Sequence, residues 1–245
     1  MMKPAFGTPI NWESPFSKGL VASFPMNEGP CMRKIYNNVD GRAADMVGFG
    51  AADTPTSGWT AGPHGGALAC DANDGVTLPL SDAINTMSAF TVSFFIERFN
   101  NSKTNLFFLG KGTFRTAFDM LYSYITAGPI IQLYIGLSMI ATPVLDCTQN
   151  LSIVGAYDGQ NASIYINGAL RAGPTPLALL QNNNVITIGK CVGKISCFCL
   201  HSRALSPEEV AYLNAFPYCM YEQDDAIFAK PFDQNFYRRL LAGGC

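Results

Sequence analysis

The run of residues 157–213 constrains the fold most, because strand and turn signals follow one another there in a fixed order. Two stretches of alternating apolar and polar residues meet at Asn167-Gly168, a pair that readily adopts the positive φ angles of a tight hairpin turn. Further strands are predicted at residues 185–189 and 194–201. A helix then begins at Ser206, where Ser-Pro-Glu-Glu combines an N-cap serine, a proline and two acids, and it ends before Phe216-Pro217. This order predicts the closing part of a two-sheet sandwich.

Alternation with a period of two predicts strands along the rest of the chain. The clearest example is residues 90–97, where Phe90, Val92, Phe94 and Ile96 form one side. The other predicted strands are residues 19–26, 67–70, 75–80, 104–109, 117–122, 130–135 and 151–157. Residues 27–65 are expected to be mostly loop. The chain of 245 residues is long enough to bury one such core, so the predicted fold is all-β, a two-sheet antiparallel jelly-roll sandwich with one short helix.

The two ends of the chain lack strand alternation. We expect residues 1–18 to form an extended arm, residues 19–216 the sandwich, and residues 217–245 an extension that leaves it. The apolar side chains of the extension must be buried either on their own domain or on a neighbouring subunit. The residues predicted to bind a partner are Tyr218, Tyr221, Phe228, Phe232, Phe236, Tyr237, Arg238 and Arg239. The two arginines either dock on an acidic neighbour or keep the extension soluble.

The charge of the chain restricts its partners. Charged residues make up 14% of the chain and hydrophobic residues 48%, and the net charge is −2. Nucleic-acid binding is not expected, since it needs clustered Lys and Arg. The first residues lack the apolar block of a secretory signal, and no transmembrane helix is predicted. So little surface charge favours a component of a larger assembly, and a homo-oligomer.

Eight cysteines are distributed through the sequence. A disulfide framework is not favoured, because a chain of this length can build a core without one. Zinc is not favoured either, since only a single Cys-x-Cys occurs, at Cys197 and Cys199. Free and mostly buried thiols are predicted.

Several segments together resemble laminin G-like, concanavalin A-like jelly-roll domains. Residues 19–29, GLVASFPMNEG, are similar to the opening strand of that family, and residues 88–95, SAFTVSFF, to a later one. The remaining similar segments, in the same order, are residues 37–41, Trp59, residues 65–68, 71–78, 157–159, 164–168, 186–189 and 202–206. The resemblance covers roughly residues 19–216 and implies the sandwich fold.

The resemblance implies two functions. Domains of this kind occur in structural proteins of tailed-phage virions, and residues 213–219 resemble the segment that follows the domain there. The first expectation is therefore a non-enzymatic virion protein, a capsid decoration or tail-associated component made without a signal peptide, which binds other virion proteins through its termini. The alternative is a carbohydrate-binding, lectin-like module that acts in host adsorption.

The family also implies a calcium ion near the rim of the sandwich. The oxygen-bearing residues at matching positions are Glu28, Asp40, Asp71, Asn73 and Asp74, and such hard oxygen ligands suit calcium. The alternative is that these Asp and Asn side chains only close turns by bonding to the backbone.

Tyrosines on strands are the candidate sugar contacts, since a flat exposed ring can stack on a pyranose. They are Tyr122, Tyr124, Tyr134 and Tyr165, with packing in the core or at a subunit interface as the alternative. An enzyme is not expected. The acidic pairs Glu208-Glu209 and Asp224-Asp225 lack the strand spacing of a glycosidase, and structural roles are favoured for His64 and His201.

Overall fold

The computed structural model describes residues 3–30, 32–50, 53–54, 57–62, 64–71, 73–78, 86–97, 106–111, 118–125, 127–146, 149–179, 185–189 and 193–222. Within them the strands are β1 (Leu20–Phe24), β2 (Lys34–Tyr36), β3 (Ala43–Val47), β4 (Gly58–Gly62), β5 (Gly65–Cys70), β6 (Gly75–Leu78), β7 (Phe90–Glu97), β8 (Leu106–Lys111), β9 (Phe118–Ile125), β10 (Gly128–Ile135), β11 (Ser138–Ala141), β12 (Leu151–Tyr157), β13 (Asn161–Ile166), β14 (Ala169–Pro176), β15 (Ile186–Gly189) and β16 (Gly193–His201). One helix, α1 (Pro207–Ala215), and one turn of 3₁₀ helix, Pro15–Ser17, complete the elements.

The strands form two antiparallel sheets of eight strands each. Sheet I has the order β14-β13-β12-β7-β16-β5-β4, and β1 pairs with β16 beside β5. Sheet II has the order β11-β10-β9-β8-β15-β6-β3-β2. Each sheet contains a pair of neighbouring strands that are distant in sequence, β7 and β16 in sheet I and β8 and β15 in sheet II, so neither sheet is a simple meander. The prediction of an all-β, two-sheet antiparallel sandwich is confirmed.

The main core lies between the two sheets. Alternate residues of β7 (Phe90, Val92, Phe94 and Ile96) face it, as their period-two pattern predicts, and they pack with Phe118 and Leu133 of sheet II. Gly155 of β12 lies directly under Met120 and Leu133, where any side chain would have to displace them. At this point the two sheets are therefore in contact through interlocking side chains.

A second apolar layer covers the outer face of sheet I. Val154 of β12, Tyr165 of β13 and Cys199 of β16 alternate with the residues of the main core, and they pack against Val210 and Leu213 of α1. The helix begins as predicted. Ser206 accepts from the backbone N–H of Glu209, whose side chain accepts from the N–H of Ser206, a complete capping box.

Both chain ends contribute to this second layer. Ile10 pairs with Tyr221 in an antiparallel bridge, and the N–H of Asn11 donates to the carbonyl of Met220 at 2.9 Å. Phe16 stacks on Tyr212 of α1 with ring centroids 4.8 Å apart. The Lys3 ammonium donates to the carbonyls of Met26 and Gly66, and burial lowers its pKa to about 8. Residues 3–17 and 218–222 thus close over sheet I.

This closure corrects the expectation that the chain leaves the sandwich after residue 217. The expectation is wrong for residues 218–222, because the apolar face of sheet I is close enough to bury Tyr218, Met220 and Tyr221. The arm is likewise not simply extended, since Ile10 and Phe16 are buried. Residues 223–245 lie outside the described residues, so the rest of the extension stays a prediction, as does the division of the chain at residues 18 and 216.

Other departures from the sequence prediction are local. Residues 27–65 contain β2, β3 and β4 and are not mostly loop, because short strands without strong alternation can pair where a neighbouring strand supplies hydrogen-bond partners. Strand β11 was also not predicted. The cysteines described as free thiols are Cys70, Cys197, Cys199 and Cys219, which confirms the prediction for those four. In the described part of the chain, no helix has the length and apolar character needed to cross a membrane.

Candidate functional site

A pocket of about 180 Å³ lies on the outer side of sheet I, at the end where β12 begins. Three neighbouring strands supply its floor, through Phe95 of β7, Ser152 of β12 and Ser196 of β16. Its walls come from the β13–β14 turn, the last turn of α1 and the β4–β5 turn. Elements far apart in sequence therefore meet at this one place.

The pairing of the strands places the floor residues side by side. Ser152 is directly opposite Phe95 in the β12–β7 register. The β16–β7 register shifts between Ile195 and Cys197, so Ser196 is the extra residue of a β-bulge. Bulges turn a side chain out of its normal alternation and are frequent beside binding sites. The Ser196 hydroxyl donates to the carbonyl of Phe95 at 3.4 Å.

The β13–β14 turn is fixed to the floor by two hydrogen bonds. The Asn167 side-chain oxygen accepts from the N–H of Ser152 at 2.9 Å, and the Asn167 N–H donates to the carbonyl of Ser152 at 2.8 Å. Asn167 has a φ of 52°, which few residues other than glycine adopt. The hairpin turn predicted from Asn167-Gly168 is thus confirmed, and its asparagine lines the pocket.

Gly168 lets the helix approach this turn. A Cβ atom added at Gly168 would lie 3.2 Å from the Cβ of Asn214 and 3.3 Å from the Cα of Ala211. Its φ of 79° also belongs to the left-handed region that favours glycine. The same glycine therefore serves the turn and the close packing of α1, and it brings Asn214 beside Asn167 in the wall of the pocket.

Aromatic rings support the remaining side. The ring of His64 meets that of Phe95 edge-on at 5.9 Å, and that of Tyr218 at 6.3 Å. Tyr218 belongs to the C-terminal segment that closes over sheet I, and burial raises the pKa of its phenol. Tyr218 of this segment thus packs against His64, which borders the pocket.

One floor hydroxyl has no partner among the described residues. Ser152 is 4% exposed, and its Oγ atom makes no hydrogen bond to any described group. A buried hydroxyl without a partner is unfavourable by about 1–3 kcal/mol, so native proteins rarely keep one without a use. With three asparagines, two serines and an aromatic ring around it, this pocket can exchange several neutral hydrogen bonds with a ligand.

The calcium candidates do not converge. Asp71 Oδ1 accepts from the N–H groups of Asn73 at 2.7 Å and Asp74 at 3.2 Å, and Asp74 Oδ2 accepts from the N–H of Asp71. Elsewhere, Glu28 accepts from the N–H of Tyr36, and Asp40 from that of Arg42. Among the described residues, no group of three or more His, Cys, Asp or Glu side chains could hold a metal ion. This geometry does not fit calcium, which needs six to eight oxygens around one point; it matches turn closure instead.

Two of the four tyrosines proposed as sugar contacts do not have an exposed ring. Tyr134 and Tyr165 are 5% and 6% exposed, so neither presents an open ring face, and their selection was wrong. Tyr165 packs in the second layer between sheet I and the helix, and burial raises the pKa of its phenol. Tyr122 and Tyr124 lie on β9, and their side chains lie outside the described residues.

The partner-binding residues divide in the same way. Tyr218 and Tyr221 are each 2% exposed and packed on their own sandwich, which corrects their assignment to a partner surface. Tyr221 is held there by its hydroxyl, 2.7 Å from that of Ser23. The remaining ones, Phe228, Phe232, Phe236, Tyr237, Arg238 and Arg239, lie outside the described residues and stay predictions.

The candidate acid–base groups have structural partners. Glu209 accepts two hydrogen bonds from the Arg203 guanidinium, at 2.7 and 2.8 Å, and Glu208 accepts one from the Ser206 hydroxyl. His201 is buried and donates from Nε2 to the carbonyl of Phe16 at 2.9 Å. Burial lowers the pKa of His201 to about 4. Asp224-Asp225 lie outside the described residues.

The sequence did not predict the pocket, although Asn167 and His64, which line it, had each been given a structural role. Asn167 was interpreted only as a turn residue and His64 only as a structural loop residue. The available signal was an asparagine at the end of each of three elements, at Asn150, Asn167 and Asn214. Their convergence depends on the strand order of sheet I, which local pattern does not specify.

Comparison with known proteins places this geometry in context. The model of a laminin G-like family, described as the concanavalin A-like lectin/glucanases superfamily, matches residues 71–211. A search of curated protein sequences found no significant match. Among solved structures, domain 4 of a Geobacillus stearothermophilus extracellular arabinanase in complex with arabinotriose is similar, with a TM-score of 0.61 at 14% identity, over 80% of this chain and 98% of that one.

Trypanosoma rangeli sialidase is also similar. Its complex with sialic acid has a TM-score of 0.61 at 14% identity, over 83% of this chain. The complex with 2,3-difluorosialic acid has a TM-score of 0.62 at 14% identity, over 91% of this chain. The chain covers only 34% and 37% of those two sialidase chains. At these identities the similarity shows the fold alone.

Proposed function

Because this chain belongs to the concanavalin A-like lectin/glucanase superfamily, we propose that it is a non-catalytic carbohydrate-binding module. The observation that carries the proposal is the pocket beside α1, where an unpartnered buried serine hydroxyl faces asparagine side chains and an aromatic ring. Saccharides offer many hydroxyl groups, each both donor and acceptor, and amide side chains are matched to that property.

The size of the pocket agrees with a small saccharide unit. A volume of about 180 Å³ takes one ring and leaves the rest of a longer glycan outside. Phe95, 9% exposed, supplies an apolar surface at the floor. Apolar contact with a few placed polar groups is the usual composition of a small-molecule site.

The similar solved structures support the proposal without deciding it. The arabinanase domain, which the chain covers almost entirely, is an isolated domain in complex with an oligosaccharide. We propose a non-catalytic role because none of the described residues that line the pocket is an acid, whereas glycoside hydrolysis uses paired carboxylates.

Binding and its location can be tested together. The protein is titrated calorimetrically with arabinotriose and a panel of neutral oligosaccharides, and the products are examined for hydrolysis by chromatography. We expect binding of at least one saccharide with a dissociation constant of about 1 mM or tighter, without hydrolysis. Asn214→Ala should weaken it about 3- to 10-fold through lost hydrogen bonds.

The matched control is Ser138→Ala. Ser138 is exposed on β11 of sheet II, whereas the pocket lies on the outer side of sheet I, so this variant should bind like the unmodified protein. Absence of binding across the panel, or equal loss in both variants, contradicts the proposal.

A second proposal is a structural role in a tailed-phage virion, as a capsid decoration or tail-associated protein that forms a homo-oligomer. It is supported by large apolar side chains that remain exposed on the described surface. Leu137, Met139 and Val144, exposed by 79%, 46% and 47%, all belong to the β10–β11 edge of sheet II. Exposed apolar groups on a sparsely charged surface suit protein contacts. Both roles are compatible if glycan binding serves host adsorption.

Labelling of purified phage particles by an antibody against this chain tests the second proposal. A chain that ends at Glu222, the last described residue, tests the extension separately. We expect the shortened chain to keep the unfolding midpoint of the full chain and to lose its place on particles. Purified expressed protein serves as the positive control for the antibody. If the antibody recognises that control but labels no particles, a virion role is contradicted.

A further inference from the structure

The pocket lies at the carboxyl end of α1. Asn214, in the last turn of the nine-residue helix, lines the pocket directly. The carbonyl groups of a last helical turn lack helical partners, and together they carry a partial negative charge of about half an electron. Many helices offset this charge with a basic residue, but the last turn of α1 has none. The pocket is therefore exposed to a negative potential.

The residues that line the pocket do not reverse this potential. None of those described is Asp, Glu, Lys or Arg. Of the strands that form the floor, β7 carries Glu97 and β16 carries Lys194, and these two pair with each other at 3.5 Å. The Lys194 ammonium also donates to the carbonyl of Ala61 at 3.3 Å, which directs it toward β4.

The helix carries its own charged side chains at the other end. Glu208 and Glu209 lie in its first turn, and Arg203 is held by Glu209 through two hydrogen bonds. That guanidinium also donates to the carbonyl of Lys18. Arg203 is thus committed to the amino end of the helix, and Lys3, which lies against Gly65 in the β4–β5 turn, is committed to the carbonyls of Met26 and Gly66.

We infer that the pocket selects uncharged saccharides and rejects acidic ones such as uronic and sialic acids, an inference that rests on the proposed function. While His64 is neutral, a carboxylate placed there loses water without gaining a cation, and it lies near the negative end of α1. A neutral hydroxyl at the same position donates to the helix carbonyls and accepts from an asparagine amide. The position of the helix therefore accounts for the discrimination between neutral and acidic saccharides.

Matched sugar pairs test the selection. Glucose with glucuronate, and galactose with galacturonate, differ within each pair only in the oxidation of one carbon. N-acetylneuraminic acid is titrated as a further acidic probe. We expect at least one neutral sugar to bind and its acidic counterpart to bind about 10-fold more weakly or not at all.

A charge introduced at the helix end tests the cause. Asn214→Lys places a cation beside the pocket and should raise the affinity for the uronate relative to the neutral sugar by about 3- to 10-fold. Ser138→Lys, on β11 of sheet II, adds the same charge and should leave the ratio unchanged.

The outcomes separate the two proposals. An acidic sugar that binds as tightly as its neutral partner, or a ratio that Asn214→Lys does not move, overturns the selection and leaves carbohydrate binding standing. No binding of any saccharide, neutral or acidic, overturns the proposed function and the selection together.

Discussion

Removal of the unpartnered hydroxyl of Ser152 should stabilise the protein and weaken its ligand binding at the same time. The Ser152 Oγ atom is buried without a partner, while the backbone N–H of Ser152 keeps its bond to Asn167 whatever the side chain. Ser152→Ala therefore removes a desolvation penalty of about 1–3 kcal/mol and breaks no hydrogen bond. We expect the free energy of unfolding to rise by about 1 kcal/mol, which corresponds to about 2–4 °C in melting temperature for a domain of this size.

The same substitution should reduce affinity. Loss of one neutral hydrogen bond, about 1 kcal/mol, corresponds to a roughly fivefold weaker dissociation constant. Urea unfolding and calorimetric titration of the same preparation measure both effects. The matched control is Ser23→Ala, since Ser23 is also buried but its hydroxyl lies 2.7 Å from that of Tyr221. The control should lose about 1–3 kcal/mol of stability. If Ser152→Ala is destabilised as much as the control, the hydroxyl has a structural role and the reasoning is refuted.

Three further perturbations have defined outcomes. In the folded protein the pKa of His201 is lowered from its ordinary value of 6.5 to about 4, because burial disfavours the charged form. Between pH 6.5 and 4 only the unfolded chain takes up a proton at this residue, so about 3 kcal/mol of stability is lost as pH falls through that range. Urea unfolding at several pH values should show this loss, and His201→Gln, which can still donate to Phe16, should show a flatter profile. Gly168→Ala should lower the free energy of unfolding by about 1–2 kcal/mol, since its φ is 79° and the helix is in contact; an unchanged melting curve contradicts this. Tyr221→Phe should lose about 1 kcal/mol through the Ser23 hydrogen bond, and limited proteolysis should then cut near residue 222 sooner than in the unmodified chain.

The fold was predictable wherever local pattern and burial agree. Residues 151–157 and 90–97 show strand alternation and lie at the centre of sheet I, so their bounds were obtained correctly. The capping box at Ser206 is a local arrangement of four residues, and it too was evident. Strands β2 and β3 were missed because such short strands form only against a neighbouring strand that the local sequence does not identify.

The site was less predictable than the fold for a related reason. Asn167 and Asn214 are separated by 47 positions in the sequence, and only the packing of α1 on the hairpin makes them neighbours. Tyr165 failed as a sugar contact because an aromatic residue on a strand fits a covered face as well as an open one, and α1 with the segments 3–17 and 218–222 covers that face of sheet I. The burial of Tyr218 and Tyr221 has the same cause, since apolar residues just after a helix bury against the nearest unfilled surface.

The bridge between Ile10 and Tyr221 brings the two ends of the described fold to one spot, beside the ring of Tyr218 that supports His64. A purification tag, a fused domain or a biosensor surface attached directly after Glu222 in a shortened chain is consequently held next to the pocket and can block access to it. Immobilisation through the β10–β11 turn at Gly136-Leu137, on the other sheet, leaves that side open. The same proximity makes a chain shortened to residue 222 a candidate for circular permutation, with a linker joining its two ends and new ends opened at that turn.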